Sequence, residues 1–400
     1  MKYCVLIMDG ASGWPLPERG GRTSLELART PNLDALARDG IAGLVRTVPP
    51  GMEASSACAC LSVLGYDPRV YYSGRGPIEA KSLGIQLGEG EAAFRCNLVA
   101  LRDGKMWSYS AGQIGDAESH ALVGALQESL GSDEVRFYPG VGYRHMCTIK
   151  GRMETLNATC IPPHDISGQP IDGSLPHGPG SELLRELMAR SQEVLRDHPV
   201  NRVRMARGDI PATSIWLFWG GGFAPDLPPF RETYGLGGAM TSGVDLLRGL
   251  ARMTGLRNLD IPGVTAGLDN DYAAQAAGAV EALERDDLVV IHIEAPDEAA
   301  HEGAADDKIE AIERVDREVV GRFLSWGKDS LRLLVLPDHP TPIETRTHAP
   351  DPVPFILWGP GLGAGGGRAF SEAEAATGGL LVEEGHSLMG RLVSGSWPER

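Results

Sequence analysis

Leu331-Arg332-Leu333-Leu334-Val335-Leu336-Pro337-Asp338-His339 decides how the rest of this chain is read. An almost unbroken apolar run ends on a proline, then sets a carboxylate beside an imidazole. Continuous apolar strands of this length suit a parallel sheet covered on both faces. In such sheets ligands collect outside the carboxyl ends of the strands. The same grammar recurs twice. Tyr3 to Met8 ends on Asp9-Gly10, and Leu288 to Ile293 leads through Glu294 to Asp297-Glu298-Ala299-Ala300-His301. If a turn of helix begins there, Asp297 and His301 share one face of it.

Helical stretches alternate with the strands. Thr30-Pro31-Asn32 opens one with Pro in the first turn; Leu33, Leu36 and Ala37 share its inner face, and Gly40 stops it. Others are expected over 181–195, 243–252, 272–285 and 308–324, with a further strand from Ile215 to Trp219. The alternation predicts an α/β fold, doubly wound about a mostly parallel sheet. Between about residues 80 and 180 the character changes. Ala93 to Leu101, Val135 to Tyr138 and His145 to Ile149 read as strands of a separate, partly antiparallel unit, and the turn-rich segment from Pro162 to Gly180 as its return. The expected division is residues 1–80 and 181–400 for a metal-binding core, with 81–180 as an inserted smaller α+β domain.

Composition narrows the function. A chain of 400 residues exceeds one typical core. Its 42% hydrophobic and 22% charged content is that of an ordinary soluble globular protein. The net charge of −16 argues against nucleic acid or an anionic membrane as partner, since both need a basic footprint. No apolar stretch reaches the roughly 20 residues that span a bilayer, and the first apolar run reads as a strand, not a signal peptide. The six cysteines read as reduced thiols of a cytoplasmic protein, with Cys58-Ala59-Cys60 as small buried hydrophobes. Nothing in the sequence speaks to the oligomeric state.

Asp9, Asp297, His301, Asp338, His339 and His348, the last nine residues beyond His339, supply ligands for two divalent metal ions. Carboxylate with imidazole suits Mn²⁺, Zn²⁺ or Fe²⁺ better than an all-oxygen Mg²⁺ or Ca²⁺ site. Mn²⁺ is the expected ion, with Zn²⁺, Co²⁺ or Mg²⁺ as the other candidates. Two ions a few ångströms apart are the usual clamp for in-line displacement at phosphorus. The attacking group is sought in Ser55-Ser56-Ala57-Cys58, where a helix is expected to begin and its dipole favours both a reactive serine and a phosphate. A serine there is also the ordinary N-cap; the ligand set tips the reading towards a nucleophile. His292 alternates into a sheet face and reads as a core histidine. Arg75, Arg95, Arg144, His145 and His164 are the candidates for gripping a small phosphorylated carboxylic acid, because guanidinium forks match carboxylate and phosphate. Each reads equally as a structural ion-pair residue.

Several motifs resemble those of the archaeal-type cofactor-independent phosphoglycerate mutases of the alkaline phosphatase superfamily. They are Met8-Asp9-Gly10, Thr30-Pro31-Asn32-Leu33-Asp34, Leu64-Gly65-Tyr66-Asp67-Pro68, Gly74-Arg75-Gly76-Pro77-Ile78-Glu79-Ala80, Phe94-Arg95-Cys96-Asn97-Leu98, Tyr143-Arg144-His145, Pro162-Pro163-His164-Asp165 and Asp338-His339-Pro340-Thr341-Pro342. The resemblance runs over essentially the whole chain. It implies an alkaline phosphatase-like core and the glycolytic interconversion of 3-phosphoglycerate and 2-phosphoglycerate through a phosphoserine. It places the nucleophile on Ser56, not Ser55. It also implies one metal held by Asp9, Ser56, Asp338 and His339, the other by Asp297, His301 and His348, and an inserted domain that closes over the glycerate. Two departures stand out. Ala57 and Cys60 occupy positions where the family usually carries an acidic residue and Asn, and Trp219 precedes Gly220-Gly221-Gly222 where relatives tend to carry Arg. These leave open an alternative within the same superfamily, a metal-dependent phosphotransferase or phosphohydrolase for another small phosphorylated or phosphonate acid.

Overall fold

The structure, a computed structural model, describes residues 1–327, 329–363 and 367–397. Two compact units share the chain, one built from Met1–Tyr72 and Pro225–Arg400, the other from Ser73–Ala224. The strands β1 (Lys2–Met8) and β2 (Ile41–Val45) open the first unit. The second holds β3 (Glu91–Arg102), β4 (Lys105–Ser108), β5 (Val135–Val141), β6 (Arg144–Lys150) and β7 (Ser214–Gly222). The chain then returns to the first with β8 (Gly238–Thr241), β9 (Arg257–Asn258), β10 (Leu288–Ile293), β11 (Leu331–Leu336), β12 (Val353–Trp358) and β13 (Leu381–Val382).

The first unit is a mixed α/β structure around one sheet of order β13-β2-β12-β11-β1-β10-β8-β9. Only the pairs made by β12 are antiparallel; the others run parallel, as the apolar runs predict. Every residue from Tyr3 to Met8 and from Leu288 to Ile293 is buried, so both faces of these strands are covered. Each fully buried Val, Leu or Ile contributes roughly 1.5–3 kcal/mol by leaving water, which holds the strand ends firmly. β1 lies between β10 and β11, and Ile7 pairs with His292 on one side and Leu336 on the other. Asp9, Glu294 and Asp338 each follow that row by two residues. Register alone therefore delivers three carboxylates to one level.

The helix Pro31–Asp39 begins where expected, but Thr30 makes no side-chain cap. Asp316, in the π-helical segment Val315–Val320, caps it from elsewhere in the chain: Oδ1 accepts the Leu33 N–H at 2.7 Å and Oδ2 the Asn32 N–H at 3.3 Å.

The second unit is larger than the sequence suggests. Its sheet has the order β4-β3-β6-β5 with β7 also on β3, and every pair is antiparallel. The expected bounds at 81 and 180 both fall inside it, because β7 pairs along β3 from Val99↔Ser214 to Ala92↔Gly222. The helix Ser181–Arg196 also belongs here, burying Leu184, Leu187, Met188 and Leu195 in the same core as Phe94, Leu126 and Trp216. Strand pairing across more than a hundred residues outweighs the composition shift that marked the earlier boundary. Among the described residues, no helix is long and apolar enough to cross a membrane.

Candidate metal centre

Among the described residues, three carboxylate–imidazole groups gather at the carboxyl ends of β1, β10 and β11, and two of them are candidate metal clusters. In the first, the helix Ala295–Glu302 presents Asp297 and, one turn later, His301. His301 Nε2 lies 3.0 Å from Asp297 Oδ2, and His348 Nε2 lies 3.7 Å from Asp297 Oδ1. The far nitrogens face backbone carbonyls: His301 Nδ1 is 2.8 Å from Arg346 O, and His348 Nδ1 is 3.1 Å from Ala54 O. A carbonyl only accepts, so both Nδ1 atoms carry hydrogen and both Nε2 atoms are turned into the cluster. These Nε2 atoms sit 3.0 Å apart, which leaves room for one proton between them. The hydrogen bond to Asp297 lifts His301 to about 9. Burial works against the charge on Asp297, but its bonds to His301 and His348 outweigh burial and hold it well below the usual carboxylate range.

The second cluster is Asp9, Asp338 and His339, all fully buried. His339 Nε2 stands 3.5 Å from Asp9 Oδ1, 3.4 Å from Asp338 Oδ2 and 3.3 Å from Ser56 Oγ. Asp338 Oδ1 is taken by the N–H groups of Gly10 at 3.2 Å and His339 at 2.9 Å, so Oδ2 faces inward. Thr341 joins the clusters: its hydroxyl donates to Asp297 Oδ1 at 2.5 Å, and its oxygen is left to accept from His339 Nδ1 at 3.3 Å. His339 Nε2 thus presents a lone pair. Burial lowers the His339 pKa, which keeps the ring neutral.

These residues fit divalent cations on a structural test. Asp9 Oδ1 is buried without a hydrogen-bond partner. Burial, then the neighbouring Asp338 and Asp297, push the Asp9 pKa well up. Like charges gathered out of water need a counter-charge, and unshared lone pairs of oxygen and nitrogen point at common centres.

Close approach makes the arrangement possible. Gly10 has φ +59°, and a side chain there would run into Asp297 and Thr341. Lys308, fully buried, donates to the carbonyls of Ser12 at 2.9 Å and Thr341 at 2.8 Å, and so ties the Asp338–Thr341 segment to the loop after β1. Burial brings its pKa down to about 8. Lys308 did not stand out in the sequence, and Thr341 stood there only as part of the Asp338-His339-Pro340-Thr341-Pro342 motif.

The two serines separate by role. Ser55 is the N-cap of the helix Ser56–Val63, accepting the Cys58 N–H at 3.4 Å, and lies 3.2 Å from the Tyr72 hydroxyl. Ser56 opens that helix and is the serine aimed at His339. Ala57 and Cys60 are both buried, with the Cys60 thiol 3.6 Å from Asp338 Oδ2.

His292 is buried, as its reading as a core histidine expects, and in addition its Nε2 meets Asp9 Oδ2 at 2.8 Å, with Glu294 Oε2 3.6 Å away. His292 lies in β10 and Glu294 directly follows that strand, which ends beside Asp9; the spacing is visible in the sequence, but the register that pairs His292 with Ile7 is not.

The expected substrate residues lie in the second unit and divide there. Glu79 bridges Arg75, at 2.8 Å, and Arg95; Arg95 also donates to Asn97 Oδ1 at 3.0 Å. Burial opposes the charge on Glu79, but Arg95 and Arg75 overcome it and lower its pKa, so the trio carries one net positive charge. The Arg75 guanidinium lies 3.7 Å over the Trp219 ring, and the His164 ring is 5.5 Å from the same indole. Trp219 holds Arg75 in place. Arg144 is exposed and stacks on Tyr143 at 5.1 Å. His145 departs from expectation. It is 1% exposed on the core face of the sheet, its ring 6.5 Å from that of His120, and burial pulls its pKa down to about 3. A neutral imidazole enclosed there is not placed to grip an anion.

Known proteins resemble this chain in sequence and in fold. Residues 37–201 match the sequence profile of 2,3-bisphosphoglycerate-independent phosphoglycerate mutase. A protein of that name from Methanothrix thermoacetophila is 48% identical, across 99% of this chain and all of its own. Among solved structures, a Pyrococcus horikoshii protein aligns over 100% of this chain and 99% of its own at 29% identity, with a TM-score of 0.77. A cofactor-independent phosphoglycerate mutase from Thermoplasma acidophilum covers 98% of this chain and 99% of its own at 28% identity, with a TM-score of 0.63. With full-length identity of this order, the chain belongs to the family of 2,3-bisphosphoglycerate-independent phosphoglycerate mutases.

Proposed function

We propose that this chain interconverts 3-phosphoglycerate and 2-phosphoglycerate without a bisphosphoglycerate cofactor, passing the phosphoryl group through Ser56. The observation that carries the reading is Ser56 Oγ at a helix N-terminus, 3.3 Å from a His339 Nε2 that bears a lone pair, beside two carboxylate–imidazole clusters. Asp9, Ser56, Asp338 and His339 would hold one divalent ion and Asp297, His301 and His348 the other; Mn²⁺ would suit the mixed oxygen and nitrogen donors. Bound there, such ions acidify hydroxyls and offset charge on phosphoryl oxygens.

Ser56 Oγ attacks phosphorus, the bond to the glycerate oxygen breaks, the Ser56 hydroxyl proton ends on that departing oxygen, and a phosphoserine forms at the positive end of the helix dipole. The freed glycerate turns, its other hydroxyl attacks the same phosphorus, and Ser56 is released. His339 and Asp9 keep their inward lone pairs throughout, because Thr341 and the buried β1 end fix their orientation. Arg75, Arg95, His164 and Arg144 form the anion-reading surface of the second unit, a local positive patch on a chain of net charge −16. Six free cysteines suit a reducing compartment, and we assign the protein to the cytoplasm.

Phosphorus NMR on 3-phosphoglycerate with added Mn²⁺ tests this. Isomerisation with little inorganic phosphate is expected, because a held hydroxyl has a high effective concentration over water. Ser56→Ala should abolish turnover while Ser55→Ala, losing a cap worth about 1 kcal/mol, stays largely active. Phosphate as the main product would make the protein a hydrolase. An inactive Ser55→Ala beside an active Ser56→Ala would move the nucleophile by one residue.

A further inference from the structure

We propose that His292 is a positioning residue that chooses which Asp9 oxygen faces the metal, through a hydrogen-bond relay from Val244 by way of Ser242. The proposal rests on reading Asp9 as a ligand. The direction of each bond follows from what each atom is able to do. The Val244 N–H can only donate, and it lies 3.0 Å from Ser242 Oγ. Ser242 therefore has its own hydroxyl proton free for His292 Nδ1, 3.0 Å away. With Nδ1 accepting, the neutral imidazole carries its hydrogen on Nε2, which faces Asp9 Oδ2 at 2.8 Å. The opposite tautomer would set a nitrogen lone pair, at that distance, against an oxygen of the ionised carboxylate that a metal ligand must be, which is repulsive. The backbone is held as well: Gln275 Nε2 donates to the His292 carbonyl at 3.1 Å, and Asn270 Nδ2 to Gln275 Oε1 at 2.9 Å.

Two consequences follow. First, His292 Nε2 is a donor. Asp9, His292 and Glu294 bring possible ligand atoms together, yet they do not hold a third cation, because the imidazole has no lone pair to give it. Second, Asp9 Oδ2 is occupied by His292 while Oδ1, buried and without a hydrogen-bond partner, is left for the cluster with Asp338 and His339. A carboxylate on a single-bonded stem has two equivalent oxygens; the relay removes that freedom before any ion arrives.

Mn²⁺ binding to the metal-stripped full-length protein, followed by calorimetry without substrate, tests the role. Wild type should bind two ions. His292→Leu should weaken one site by tenfold to a hundredfold, the usual cost of losing a ligand's supporting bond, and leave the other unchanged. His292→Gln, whose amide sets an N–H near the place of Nε2, should recover most of that affinity. Ser242→Ala should weaken the same site by a smaller factor. A third ion in wild type that His292→Leu removes would make His292 a ligand and overturn the proposal. So would a Gln variant as weak as Leu, equal weakening of both sites, or no Mn²⁺ binding in wild type. Substrate plays no part in this measurement, so a protein that binds two ions yet is inert towards phosphoglycerate refutes the proposed function and leaves the relay standing.

Discussion

His301 and His348 show how much two ring nitrogens can be made to say. Their Nδ1 atoms are committed to carbonyls, and their Nε2 atoms, 3.0 Å apart, have space for a single proton. Asp297 stabilises that proton and raises His301 to about 9. A raised pKa means that near neutral pH an arriving ion must displace it. Mn²⁺ binding at this site should therefore release about one proton. Affinity should fall about tenfold per unit as pH drops below roughly 9 and level off above it. Calorimetry at pH 7.5 in two buffers of different ionisation heat measures the release; a value near zero would mean that His301 is already neutral. The same sign governs stability without metal. The folded pKa lies above the unfolded value of about 6.5, so this proton's contribution is full below that value and is lost as pH rises through about 9.

Elements in this fold are held by residues far from them in sequence. The N-terminus of the helix Pro31–Asp39 carries a proline and the expected apolar face, and those were readable from spacing alone. Its cap was not, because Asp316 arrives from 284 residues away. Asp316→Ala strips acceptors from the N–H groups of Asn32 and Leu33, and should cost about 1–3 kcal/mol. Urea unfolding would show this as a lower midpoint with an unchanged slope; a midpoint within error of wild type would show that water replaces the cap. Strand ends behave differently. An apolar run closed by a carboxylate announces both the strand and the place of its chemistry, so Asp9 and Asp338 could be put at strand ends before any pairing was known.

For the whole molecule, the partition of residues between the two units is the decisive fact. Every candidate metal ligand lies in Met1–Tyr72 or Pro225–Arg400, and none in Ser73–Ala224. An ion that binds only the folded state stabilises it by about 2.7 kcal/mol at a hundredfold excess over Kd. For a domain of this size that shifts Tm by about 2–4 °C per kcal/mol. Calorimetric scans should show Mn²⁺ raising the transition of the first unit and chelator lowering it, with the transition of the second unit in place. Both moving together would mean that the two units unfold as one.

The sequence by itself determined the α/β class, the mostly parallel sheet and the candidate ligands, because apolar runs and the residues closing them are local patterns. It also carried the family resemblance, since ordered motifs need no coordinates. The tertiary structure decided what depends on register and long-range pairing. It set the second unit at Ser73–Ala224, since β3 pairs with β7, and it buried His145. It brought Lys308 and Thr341 to the clusters and set His292 against Asp9. The reason is physical: a strand's faces follow from its own alternation, but which residue lies across from which is settled only when three strands, more than three hundred residues apart at their farthest, dock side by side.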